Sequence, residues 1–159
     1  MEPLPWFTGR IEAIVGLLLA TTLAGTTPAR GDATARLASN SQLIAVAEEA
    51  RQVIAVLDWF YVRHRTCPQL SHPTEIAELQ GELGDGYSVE PQGQFVAISG
   101  ISTTAVWLYY ASPAHPAHCT LWRKLGWDPA LIWRRAGNIT GWVFDPGDGG
   151  GERSLKLAP

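Results

Sequence analysis

The feature that most limits what this chain can become is the uncharged run AIVGLLLATTLAG at residues 13–25. A stretch of that length suits the apolar core of a secretory signal and is short for a membrane span. Arg10 is the only basic side chain ahead of it, and Glu2 and Glu12 oppose the positive charge that a signal prefers there. Small-x-small triplets follow at residues 27–29, 31–33 and 33–35, so cleavage after Ala33 or Ala35 leaves a mature chain beginning at Thr34 or Arg36. The uncharged stretch continues to Ala29, which makes retention as an anchor a second outcome and a buried helix of a cytosolic protein a third. The Gly, Thr, Pro and Arg residues between Gly25 and Arg36 read as a linker. The expected division is therefore residues 1–35 as signal-like or anchoring segment and linker, and 36–159 as one folded domain. The expected location is the periplasm or the secreted fraction, with an inner membrane anchored through residues 11–29 as the alternative.

The chain has 159 residues, enough for one domain and too few for two of ordinary size. Its net charge of −3 and scattered arginines provide no basic field, which argues against a nucleic-acid partner. Two cysteines, Cys67 and Cys119, in an exported chain read as one disulfide. Closing a loop of about fifty residues stabilises a fold by roughly 4 kcal/mol in the chain-entropy account. Two separate buried thiols are the alternative.

Past the linker the apolar positions recur at a helical period. Leu43, Ala47, Ala50, Ile54, Leu57 and Tyr61 form a stripe that Val46, Val53 and Phe60 widen, while Glu48, Glu49, Gln52 and Asp58 fall outside it. Ser39, Asn40 and Ser41 offer N-caps, and Cys67-Pro68 a stop, so the pattern predicts one helix over residues 41–65. A short helix follows Pro73 and ends at Gly81. The period then changes to that of strands at Tyr87–Glu90, Gln94–Ser99 and Ala105–Tyr110, with a turn at Pro91-Gln92-Gly93. Residues 118–126 fit a helix through Leu121, Leu125 and Gly126, and also fit a strand; the helix is the preferred reading. Residues 131–135 and 139–144 form a hairpin turning at Ala136-Gly137-Asn138, and the tail from Asp145 reads as loop. The expected fold class is α+β, a long N-terminal amphipathic helix packed on a small antiparallel sheet with one disulfide.

Few residues suggest chemistry. Asp145, Asp148 and Glu152 stand in a glycine-rich stretch where backbone carbonyls could complete an oxygen shell for calcium, although the spacing is not that of an EF-hand and a solvated turn explains it equally. His115 and His118 beside Cys119 are the densest potential zinc ligands, but no second cluster accompanies them. Of the seven tryptophans, Trp107, Trp122, Trp133 and Trp142 could line an exposed surface that stacks on sugar rings or a partner, or they could fill the core. The chain has no Gly-x-Ser-x-Gly elbow, phosphate loop, dinucleotide fingerprint or Cys-x-x-Cys pair. No cofactor is expected beyond that calcium candidate.

Several motifs together resemble type IV pilin-like proteins and type II secretion pseudopilins. Phe7-Thr8 followed by Ile11-Glu12-Ala13-Ile14-Val15 looks like the start of a pilin chain. The amphipathic stretch ending in YVRHRTCP, the segment PTEIAELQGELGDGY, a sheet and a late second cysteine then come in the same order. The resemblance implies a structural role, as a subunit of a pilus or pseudopilus or as an exported adaptor. It also implies a calcium role for Asp145 and Asp148, since some pseudopilins bind calcium in a late loop. The resulting expectation is a non-enzymatic protein with protein partners or self-assembly. A secreted binding module that uses surface tryptophans is the alternative, and a metal-dependent enzyme at His115 and His118 comes last.

Overall fold

The computed structural model describes residues 40–101 and 105–157. The expected export segment, its cleavage sites and the linker lie outside the described residues. Three helices come first, α1 (Asn40–Glu49), α2 (Arg51–His64) and α3 (Pro73–Leu83). Seven strands follow, β1 (Ser88–Gln92), β2 (Phe95–Ser99), β3 (Trp107–Ala111), β4 (His118–Lys124), β5 (Ala130–Ala136), β6 (Ile139–Asp145) and β7 (Arg153–Leu155).

This corrects the expectation of a long N-terminal helix on a small sheet. The helical stretch is divided at Ala50, whose ψ of 1° departs from the helical value. Its N–H donates to Ala47 O at 3.1 Å, a three-residue bond that tightens the turn and separates α1 from α2. The apolar stripe runs across the break, with Leu43, Ala47, Ala50, Val53, Leu57 and Phe60 all buried, so the side-chain pattern reads as one helix where the backbone makes two. The described helices have 10, 14 and 11 residues, and none is long and apolar enough to cross a membrane.

At its C-terminus α2 ends on Arg65 in the left-handed region, with φ of 59°, and the Arg65 N–H donates to Tyr61 O. That cap turns the chain so that Cys67 enters the interior. Helix α3 begins with Pro73 in its first turn, where a missing N–H costs nothing. Glu75 secures the entry, accepting from the Gln69 N–H at 2.8 Å through one oxygen and contacting His72 Nδ1 at 2.8 Å through the other. The helix continues past Gly81, where a stop was expected, because Ile76, Leu79 and Leu83 bury a common face.

The sheet is a seven-stranded antiparallel meander in chain order, each strand paired with the next. Strand β4 occupies the stretch for which the helix was the preferred reading. There Cys119 and Leu121 point inward and alternate with half-buried Thr120 and Trp122, and this two-residue period prevails once β3 and β5 lie on either side. Strand β7 likewise forms where the tail was expected to be loop, pairing Trp142 with Leu155.

Register places one side chain from each of six strands in an inner row: Val96, Tyr109, Leu121, Trp133, Trp142 and Leu155. The next inner row joins Ile98 to Trp107 and Arg123 through Leu131 to Phe144. Trp107 and Trp142 meet edge to face at 6.0 Å within this core. Ala47 of α1, Val53 and Leu57 of α2, and Ile76, Leu79 and Leu83 of α3 join residues of these rows in one hydrophobic cluster, so the helices cover a single face of the sheet.

Candidate functional site

Two places stand out. The first is a buried polar corner where α2 ends against β4 and β5. Cys67 follows the Arg65 cap, and its backbone N–H donates to Pro116 O at 2.6 Å, which ties the segment to the β3–β4 loop. Cys119 lies on β4, aligned with Ala111 on one side and Arg135 on the other. Both cysteines are buried as free thiols in one core cluster, where a disulfide between them was expected. Tyr109 of the same cluster closes the corner, its hydroxyl donating to the O of Pro68, the residue after Cys67, at 3.0 Å.

Arg135 supplies the charge. It is buried to 7% exposure, pairs with Asp58 on α2, and donates to Gly137 O at 2.8 Å. Its guanidinium lies 4.3 Å from the centre of the Tyr61 ring, and its Nε has no hydrogen-bond partner among the described residues. This arrangement separates the two thiols. Interaction with Cys119, aided by Arg135 and Tyr109 against burial, lowers the Cys67 thiol below its ordinary value. Interaction with Cys67, together with burial, pushes the Cys119 thiol up. Burial raises Tyr109 well above the ordinary phenol range, and negative charge on either sulfur adds to the effect. Chemically the corner is a buried dithiol beside a fixed cation.

The second place is the outer face of the sheet. Here Ala97, Leu108, Trp122, Ile132 and Val143 align across five strands in an unbroken apolar row, all half-buried. Phe95 packs edge to face on Tyr110 at 6.0 Å and on Trp122 at 5.8 Å. None of these residues belongs to the core cluster that the helices cover. Beside the row Arg134 makes a two-pronged ion pair with Glu152, at 2.5 and 2.6 Å.

The structure disperses the other candidates. Trp107, Trp133 and Trp142 are buried in the inner rows, so the core alternative holds for three of the four candidate tryptophans and they share no surface; of the four only Trp122 lies on the outer face. Among the described residues the exposed tryptophan is Trp127, in the β4–β5 turn, at 92%. Asp145 and Asp148 spend their carboxylates locally, accepting from the Gly147 and Gly150 N–H groups at 2.9 and 2.8 Å. Glu152 is held by Arg134, so the three acids do not converge on a calcium site. His115 and His118 stack at 5.2 Å, but Cys119 points to the opposite face, and the described residues contain no group of three ligands fit for a metal. A shallow apolar groove of about 320 Å³ runs between α3 and β1, lined by Leu70, Ile76, Val89 and Pro91 among others.

Sequence reasoning singled out the two cysteines but missed Tyr109, Arg135 and Asp58. It also missed the outer row, although Leu108 and Tyr110 sit two apart in a run already read as a strand. Comparison with protein-family models, curated proteins and solved structures finds no match to this chain.

Proposed function

We propose that this protein is an exported, non-enzymatic structural subunit that self-assembles through the outer face of its sheet. The observation that carries this reading is the apolar row from Ala97 to Val143, presented on the face opposite the helices. An aligned apolar row with interlocked aromatics is costly to leave against water and is the kind of surface that buries on association. The row carries no charge, and the Arg134–Glu152 pair beside it offers one cation and one anion. Such a rim is complementary to its own copy turned about a two-fold axis, which favours a second copy of this chain as the occupant. The pilin-like motifs and the signal-like segment at residues 13–25 support the same role, in the periplasm or anchored at the membrane.

Sedimentation of the purified full chain over a hundredfold concentration range tests the reading. Association should appear and should weaken at least tenfold in Trp122→Glu and in Ile132→Asp, with the folded signal of each variant retained. A wild-type chain that stays monomeric throughout, or variants that associate as it does, would remove it. N-terminal sequencing of the cell-derived product tests the export half. A start at Thr34 or Arg36, or a membrane-bound intact chain, fits; a full-length cytosolic chain does not.

A further inference from the structure

We propose that Cys67 and Cys119 form a reversible disulfide site, a redox clasp that fastens the end of the helical layer to the fourth strand of the sheet. Three observations place it. Both cysteines are buried in the same core cluster as Tyr109, whose hydroxyl bonds to the residue after Cys67. The backbones that carry them are independently fixed side by side, Cys67 by its 2.6 Å bond to Pro116 O and Cys119 by its position between Ala111 and Arg135. Tyr109 and Arg135 then furnish a hydrogen-bonding group and a cation around the pair, whereas an inert apolar pocket would leave a buried thiolate unsupported.

The two sulfurs have different parts. Cys67 lies in the segment between α2 and α3, which can open, whereas Cys119 is held within β4 by pairing on both sides, so Cys67 is the attacking sulfur. The oxidant is a low-molecular-weight disulfide. The Cys67 thiolate attacks one of its sulfurs, breaks the S–S bond and releases one small thiolate, leaving a mixed disulfide on Cys67. Cys119 passes its proton to that leaving thiolate and attacks the Cys67 sulfur, which releases the second small thiolate; this takes up from solvent the proton that Cys67 lost on ionising. Two protein thiols are oxidised to one disulfide while the donor disulfide is reduced to two thiols. Both cysteines are at most 3% exposed, so exchange requires the corner at Cys67-Pro68-Gln69 to open. With that corner shut the clasp is protected in either state.

Formation of the bond stands on this geometry alone; its use in the cell rests on the export reading. The test equilibrates the purified full chain in buffers graded from reduced to oxidised glutathione, quenches with acid, blocks free thiols and maps the peptides by mass. The expected product is one intramolecular Cys67–Cys119 bond and no disulfide-linked dimer. The oxidised chain should melt roughly 10 °C above the reduced one, following the loop-closure effect for a span of this size. A Cys67→Ala/Cys119→Ala variant should lose that redox-dependent difference while still unfolding cooperatively. In Cys119→Ser the reaction should stop at a glutathione adduct on Cys67. Both thiols still free in fully oxidised buffer, or bonding only between chains, overturns the proposal. A bond that forms in the buffers, with free thiols in the cell-derived protein, removes the export reading and leaves the clasp intact.

Discussion

The corner at the end of α2 and the loop after β6 are both rich in polar residues, and they handle them in opposite ways. In the corner the partners come from distant parts of the chain: Arg135 and Asp58 are 77 residues apart and Tyr109 and Pro68 are 41 apart. In the loop Asp145 and Asp148 bond to backbone two residues ahead, and Glu152 reaches an exposed arginine. The first arrangement exists only in the folded molecule; the second is largely turn chemistry that a short peptide could make. Polar density along a sequence therefore marks turns, whereas buried polar structure arises from residues that the sequence keeps apart.

The sharpest way to break this contrast is Asp58→Ala. It leaves the Arg135 guanidinium buried without its carboxylate and should lower stability by about 3 kcal/mol in urea unfolding. The loop has one position of comparable weight, and it is not an acid. Gly147 has a φ of 71°, and a Cβ there would fall 2.4 Å from the Asp128 side chain and 2.7 Å from its backbone. Gly147→Ala should therefore cost about 2 kcal/mol by thermal melting, since both strain and a clash oppose it.

Tyr109→Phe removes the bond to Pro68 O and should cost about 1 kcal/mol at neutral pH. It should also change the alkaline limb. The phenol in the unfolded chain loses its proton near the ordinary value of 10.0, while buried Tyr109 holds its proton well above that. Above that value the folded state binds more protons than the unfolded one, so stability falls as pH rises, by up to about 1.4 kcal/mol per pH unit from this group. Phenylalanine should flatten that fall, and chemical denaturation from pH 8 to 11 measures it. The smallest effects belong to the loop acids. Glu152→Ala should change stability by about 0.5 kcal/mol, because its partner and it are both exposed. Asp148→Ala should stay within about 0.5 kcal/mol. Calcium should leave the melting temperature of both loop variants and the parent unchanged; a rise confined to the parent would show that the loop gathers ligands after all.

Much of the fold is legible in the chain because it follows from local periodicity. The stripe from Leu43 to Tyr61 marks the helical layer, and Gly137 marks the β5–β6 hairpin. The break at Ala50 is not legible, since alanine suits both a helix and the turn between two helices and the stripe passes through it. Strand β4 is ambiguous in the sequence because Leu121 and Leu125 are four apart, and only the neighbouring strands decide in favour of alternation. Tryptophan burial was likewise a matter of register. Trp122 and Trp133 lie on adjacent strands and point to opposite faces, because Trp122 pairs with Ile132 and Leu121 with Trp133. As for the site, the cysteines could be named from their number alone, but nothing local in the sequence announces that Tyr109, Arg135 and Asp58 surround them.

The meander has a kinetic consequence. Because every strand pairs with its sequence neighbour, the sheet can assemble from consecutive hairpins, each closing a short loop at small entropic cost. The costly closures are those that bring the helical layer back over the strands, such as Asp58 to Arg135. The slow step of folding is then expected to be layer docking on a sheet already in register, with α1, α2 and α3 arriving last.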